Sequence, residues 1–448
     1  MALKDSAGHV VTGATGPALD AFEEASHQLR CFIGDPVASV DRALEAAPGM
    51  PMAHALKAWL HLLGTEPQAL PVARACVEQG ERLGGDARER GHLQAARLLC
   101  EGAWREAARV LEDLSAAYPR DALALQAGHQ LDFFTGDSRM LRDRIARVLP
   151  AWSEALPGYH AVLGMYAFGL EECGDYAGAQ DWGRRSVGLE RRDGWGWHAV
   201  AHACEMRNRP DEGIAWLTQD SAAWSEDSFF AVHNWWHLAL FHLDRGDTAQ
   251  VLALYDGAIR GGQSGVVLDM IDATALLWRL ALLGVDVGDR WQPLAAQWAP
   301  IVPAGNYAFN DWHAMMAFTG AGRRDGQQAV LESLQAASRG DGDVARFARE
   351  VGLPAAQAVQ AFGDGRHREA VRLLRSIRSH AHRFGGSHAQ RDLIDLTLQE
   401  AAVRAGEGPL AVALAHERLA RRPHGRLGRQ LLQRAEQAAR GCRVPAAA

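Results

Sequence analysis

Apolar residues along the chain recur at spacings of three and four, and almost no stretch alternates with period two. Segments such as "AHALKAWLHLLG" and "FGDGRHREAVRLLRS" gather Ala, Leu and Val on one side of a 3.6-residue turn and leave Arg, Glu and Gln on the other. This pattern predicts amphipathic helices joined by short Gly/Asp turns, with no sheet.

The turns recur. "EGAW" at Gly102, "TGDS" at Gly136, "CGDY" at Gly174, "RNRP" at Asn208 and "RGDT" at Gly246 are separated by 34, 38, 34 and 38 residues. A period near 34 with a helix on each side of the turn marks a tetratricopeptide-type helical hairpin. Small residues follow the turn where two helices must approach closely, as in "GDYAGAQDWGRRSVGLE", and Gly or Asn supplies the left-handed backbone that ends the first helix. The expected fold is all-α: one tetratricopeptide-like α-solenoid over residues 1–448, either open or curled into a near-closed superhelix. Residues 1–20 are expected to be a flexible N-terminus, 284–307 an irregular connection and 440–448 a flexible tail.

One stripe of the first helix of such a hairpin, repeat positions 2, 5, 9 and 12, faces the concave side. With Asn208 at position 15, those positions hold Trp195, His198, His202 and Glu205. The preceding repeat places Ala161, Gly164, Phe168 and Glu171 there, and the following one His233 and Trp236, with His237 one place off the stripe. Two His-x-x-x-His pairs on helices packed roughly 8–10 Å apart can bracket one volume. Imidazoles at i, i+4 present two nitrogens on one face, as helical zinc and iron sites require. Glu205, Asp269 or Asp272, and His313 are candidates to complete or orient the set. Asp269 and Asp272 are equally read as helix caps or as partners of Arg279 on the same helix, and Asn310 or Asp311 as the cap of the helix bearing His313.

Composition narrows the function classes. A net charge of −7, with no long basic run, argues against a nucleic-acid or anionic-membrane partner. Six cysteines stand singly, without C-x-x-C, which fits reduced buried thiols. The first residues lack the apolar core of a signal peptide, and no uncharged apolar run approaches a membrane span, so the expected compartment is the cytoplasm. No phosphate loop, G-x-S-x-G elbow or G-x-G-x-x-G after a strand is present, so no nucleotide cofactor is expected. Fourteen tryptophans and nineteen histidines, adjacent in "GWGWH" and "HNWWH", suit the wall of a ligand pocket or of a core.

The segments "GMYAFGLEECGDY", "WHAVAHACEM", "FFAVHNWWHLALFHLDRGD", "LDMIDATALLWRL", "FNDWHAMMAF" and "FGGSHAQRDL" together resemble the tetratricopeptide repeat protein 38 family, over roughly residues 20 to 420. The resemblance implies a cytosolic helical-repeat protein and supplies no reaction. His198, His202, His233, His237, Asp269, Asp272, Asn310, Asp311 and His313 match positions of the family pattern; His160 and His388 fit it less well.

Two functions follow from these residues. The first is an enzyme whose inner face holds a small molecule and a divalent metal (zinc, iron or manganese). There His198, His202, His233 and His237 would be ligands, and Glu205 and Glu171 would serve as acid–base groups for hydrolytic or carbonyl chemistry. Trp195, Phe168, Trp236, Asp269, Asp272, Asn310 and His313 would form the substrate wall. The second is a non-catalytic scaffold that seats a peptide or protein partner.

Overall fold

The computed structural model describes residues 2–302 and 305–441. The fold is an all-α, tetratricopeptide-like array of helical hairpins, and among the described residues extended pairing is confined to two isolated bridges, Lys4 with Val10 and Ile33 with Ser228.

The recurrent turns do what their residues dictate. Gly174 (φ 87°) and Asn208 (φ 55°) take the left-handed backbone that stops the first helix of a hairpin. The aspartate of each Gly-Asp pair then caps the second: Asp137 accepts from the Met140 amide (3.1 Å), Asp175 from that of Gly178 (3.0 Å) and Asp247 from that of Gln250 (3.2 Å). The hairpins Ala122–Phe134/Ser138–Val148, Tyr159–Glu172/Tyr176–Leu189 and Gly194–Met206/Pro210–Thr218 follow in order. Their close approach rests on missing side chains. A Cβ on Gly169 would lie 2.5 Å from the Leu141 carbonyl oxygen, and one on Gly183 would lie 2.7 Å from Val200.

Continuity in sequence does not make a single compact body. Contacts divide the chain into a first unit, Met1–Ala203 with Trp216–Asn234 and Gly342–Val344, and a second, Cys204–Ala215 with Trp235–Asp341 and Ala345–Ala448. Each buries its own core. In the first, Trp59, Phe168 and Trp224 are among the fully buried large side chains; in the second, Trp236, Trp298, Trp312 and Phe384 are.

Two of the segments expected to be irregular carry local structure. Within residues 2–20, the Lys4–Val10 bridge closes a turn and Val11 is buried. The Ser6 amide and hydroxyl also bind Glu23 (2.6 and 3.0 Å), and the helix Gly16–Cys31 begins. A polar loop of this kind is ordered when its backbone groups find fixed partners. Within 284–307, Trp291–Trp298 form a two-turn helix whose Trp291, Leu294 and Trp298 are buried. Of the tail at 440–448, residues 442–448 lie outside the described residues.

Candidate functional site

The site of the first unit grows from one helix start. Asp193, fully buried, precedes Gly194–Met206, and its Oδ1 accepts from the Trp195 and Gly196 amides (3.1 and 3.0 Å). Its Oδ2 accepts from the Ser186 hydroxyl (2.9 Å) and faces His160 Nδ1 at 2.7 Å. This cap fixes where the helix begins, and hence which way Trp195, His198 and His202 point.

His198 and His202, one turn apart, are both buried with ring centroids 4.4 Å apart. His233, from Ala231–Arg245, brings its Nε2 to 3.1 Å from that of His198. The three residues each offer a ring nitrogen, all within 4.8 Å of one another. Glu171, buried on Tyr159–Glu172, holds Oε2 3.5 Å from His202 Nδ1. Aromatic rings close the surroundings. Phe168 stacks on His198 (5.3 Å) and meets His202 edge-on (5.2 Å), while Trp195 and Phe230 lie 4.7 and 5.2 Å from His198. Phe32, in turn, stacks on Trp195 (5.6 Å, 21°). The sequence stripe thus holds for Trp195, Phe168, Glu171, His198, His202 and His233. Gly164 is an exception: a Cβ there would meet Ser186 Oγ and the Gly196 amide, so it serves helix contact and leaves no space beside the histidines.

The remaining candidates belong to the second unit. His237, one turn after His233 on the same helix, has Nδ1 3.3 Å from Glu205 Oε2, and Glu205 Oε1 is 3.5 Å from Arg422. Trp236 is fully buried beside His237 (4.9 Å), with the Arg279 guanidinium 5.9 Å from its ring. Arg279 is not tied to Asp269 or Asp272: its guanidinium lies 3.4 Å from Asp392. Asp272 is buried and Asp269 half-buried on Val267–Leu282. Asn310 and Asp311 do not cap the helix of His313. Ala308–Gly320 starts after Tyr307 with no side-chain cap, which leaves both residues buried in its first turn. Burial pushes Asp311 up to about 8 and His313 down to about 4, the latter ring facing the Phe309 carbonyl at 2.8 Å.

A second cluster in the first unit is His27, Cys31 and His160, whose ligating atoms also lie within 4.8 Å of one another. His27 and Cys31 share an i, i+4 spacing that the sequence displays; nothing local in the sequence brings His160, more than 120 positions later, against them. Burial raises the Cys31 thiol well above its ordinary value and lowers His27. Phe32, Phe230 and His129, which completes the wall at 6.0 Å from Trp195, are likewise long-range neighbours that periodicity does not reveal.

Fold and site together define a helical-repeat protein of tetratricopeptide type, with a buried imidazole cluster at the start of one hairpin. No protein-family model matches the chain. Among solved structures, the chain is similar to a human IFIT1 dimer with m7Gppp-AAAA, at 14% identity over 94% of each chain with a TM-score of 0.44. It is also similar to yeast Tom70, at 12% identity over 96% of this chain and 97% of that one, with a TM-score of 0.33. Both likenesses concern the helical-repeat fold alone.

Proposed function

We propose that the chain is a cytoplasmic relative of the tetratricopeptide repeat protein 38 family that binds a small molecule beside a divalent metal ion. His198, His202 and His233 would hold the ion, and the chemistry would be of a hydrolytic or carbonyl type. The observation that carries this reading is the 3.1 Å separation of the His198 and His233 Nε2 atoms, with His202 close by. Two imidazoles bound to one ion at about 2.0–2.1 Å stand roughly 2.8–3.4 Å apart for angles between octahedral and tetrahedral. Ligands of nitrogen alone suit zinc and iron better than calcium or magnesium.

The chain's own residues have definite tasks in this reading. Glu171, fully enclosed, orients His202 through Nδ1, as a carboxylate behind a ligating imidazole does. Phe168, Trp195 and Phe230 exclude water and hold the rings in place. A bound divalent ion would polarise a carbonyl oxygen or lower the pKa of water.

The test is metal analysis of protein purified without chelator and, separately, reconstituted with zinc, iron or manganese. Near-stoichiometric metal in the wild type, falling at least tenfold in His198→Ala and His233→Ala, is the expected result. Metal-free protein in every preparation overturns the reading, because a hydrogen bond between two neutral rings then accounts for the 3.1 Å contact. A stoichiometric protein partner lost on mutation of Trp195 would then favour the scaffold alternative.

A further inference from the structure

Beside Trp195, the first unit contains a small, partly open cleft whose lining includes Arg30, Gln126, His129 and Trp195. Arg30 ends the helix Gly16–Cys31, and Phe32, in the left-handed conformation (φ 59°), turns the chain there so that its ring stacks on Trp195. The polar groups around this cleft are unbalanced. Arg30 Nε is buried with no hydrogen-bond partner, and no carboxylate lies within ion-pair distance of its guanidinium among the described residues. The nearest acids are occupied elsewhere: Glu23 by Ser6, and Asp5 by the Ala7 and His9 amides. Burial lowers Arg30 from its ordinary value, with Glu23, Cys31 and Asp5 opposing.

The Trp195 indole N–H is a second buried donor without a partner. Gln126 spends its amide N–H on the Leu29 carbonyl (3.0 Å), and its Oε1 accepts from nothing. His129 adds no charge, since burial and the nearby Arg144 push it down to about 3. The lining therefore offers one positive charge, the unpartnered Arg30 Nε–H and Trp195 indole N–H as donors, Gln126 Oε1 as an acceptor, and the ring nitrogens of neutral His129. Leaving such groups buried and unsatisfied is unfavourable, so a ligand that completes them gains affinity and selectivity together.

We propose that this cleft binds the carboxylate of a small organic acid through Arg30 and the Trp195 indole, while Gln126 Oε1 takes an N–H or O–H of the same molecule. One guanidinium beside a neutral imidazole matches a monoanion better than a phosphate dianion. Trp195 lies 4.7 Å from His198, so one indole borders both the cleft and the histidine cluster. The substrate class of the site is then a carboxylic acid with a hydrogen-bond donor near the carboxylate, which rests on the reading of that cluster as the reacting end.

The experiment is calorimetric titration of the full-length protein with N-acetyl-L-phenylalanine, its primary amide, shorter acids down to acetate, and inorganic phosphate. The wild type should bind the acid at least tenfold more tightly than the amide. Arg30→Gln should reduce that preference below twofold with metal content unchanged, Arg30→Lys should retain part of it, and His198→Ala should lose metal while keeping it. Equal binding of acid and amide by the wild type, a preference intact in Arg30→Gln, tighter binding of phosphate, or no saturable binding of any acid overturns the proposal. If the wild type carries no metal, the cluster reading fails while the acid-to-amide ratio still decides the cleft.

Discussion

Replacing Asp193 should loosen the helix that carries the site, by an amount its contacts allow to be worked out. In Asp193→Ala, the Trp195 and Gly196 amides lose their acceptor, which costs about 1–2 kcal/mol for a helix cap. His160 Nδ1, 2.7 Å from the carboxylate, loses its buried partner, at roughly 1–3 kcal/mol. Ser186 is spared, because its hydroxyl can donate to the His160 carbonyl (2.8 Å). The sum is about 3 kcal/mol. Asp193→Asn keeps an oxygen for the cap and can donate to His160 through its amide, so its cost should stay below about 1 kcal/mol.

A chain of two compact units need not unfold in one step, so a global midpoint is the wrong readout. Amide hydrogen exchange over Gly194–Met206 reads the local opening directly. At about 1.4 kcal/mol per decade, Asp193→Ala should lower protection there roughly a hundredfold, and Asp193→Asn less than tenfold. A threefold change or less in the alanine variant would refute the cap as the anchor of the helix. Equal losses in the two variants would refute the division of the cost between cap and His160.

Two further predictions address packing and charge. Gly169→Ala forces a methyl group to 2.5 Å from the Leu141 carbonyl oxygen and 2.6 Å from the Arg142 nitrogen, both backbone; amide hydrogen exchange over Tyr159–Glu172 should show a loss of about 1–3 kcal/mol in local stability, and unchanged protection would contradict the close helix contact. Burial alone would raise Asp121, but the His92 ring at 2.9 Å, the Arg88 guanidinium at 3.0 Å and the Ala124 amide outweigh it and hold the carboxyl well below the usual range. A depressed carboxyl stabilises the fold above the unfolded value near 3.9 and loses that contribution as pH falls toward the folded one. The stability gap between wild type and Asp121→Asn should therefore narrow between pH 5 and pH 2, and a gap independent of pH would contradict the pairing.

Much of the helical frame is local and so legible in the chain. Several hairpins are set by a residue that tolerates positive φ, followed by one that caps the next helix, as Gly174 and Asp175 do within two positions. The inward stripe is equally local: once Asn208 ends the helix, 3.6 residues per turn places Trp195, His198 and His202 on one face. Facing residues on the neighbouring repeat, Phe168 and Glu171, follow from the same period.

Other features depend on which distant surfaces pack together. The partition into two units, the ordering of residues 3–11, the enclosure of the histidines by Phe32 and Phe230, and the approach of His160 to His27 and Cys31 all join positions far apart in the chain. Arg279 shows the difference in one residue, since helical spacing offers it Asp272 while packing gives it Asp392, 113 positions away. Periodicity fixes the direction of a side chain from its own helix, because backbone geometry repeats along the chain. What that side chain meets is decided by the shape and charge of whichever surface tertiary packing brings against it, as at Arg30, whose Nε packing buries without a hydrogen-bond partner.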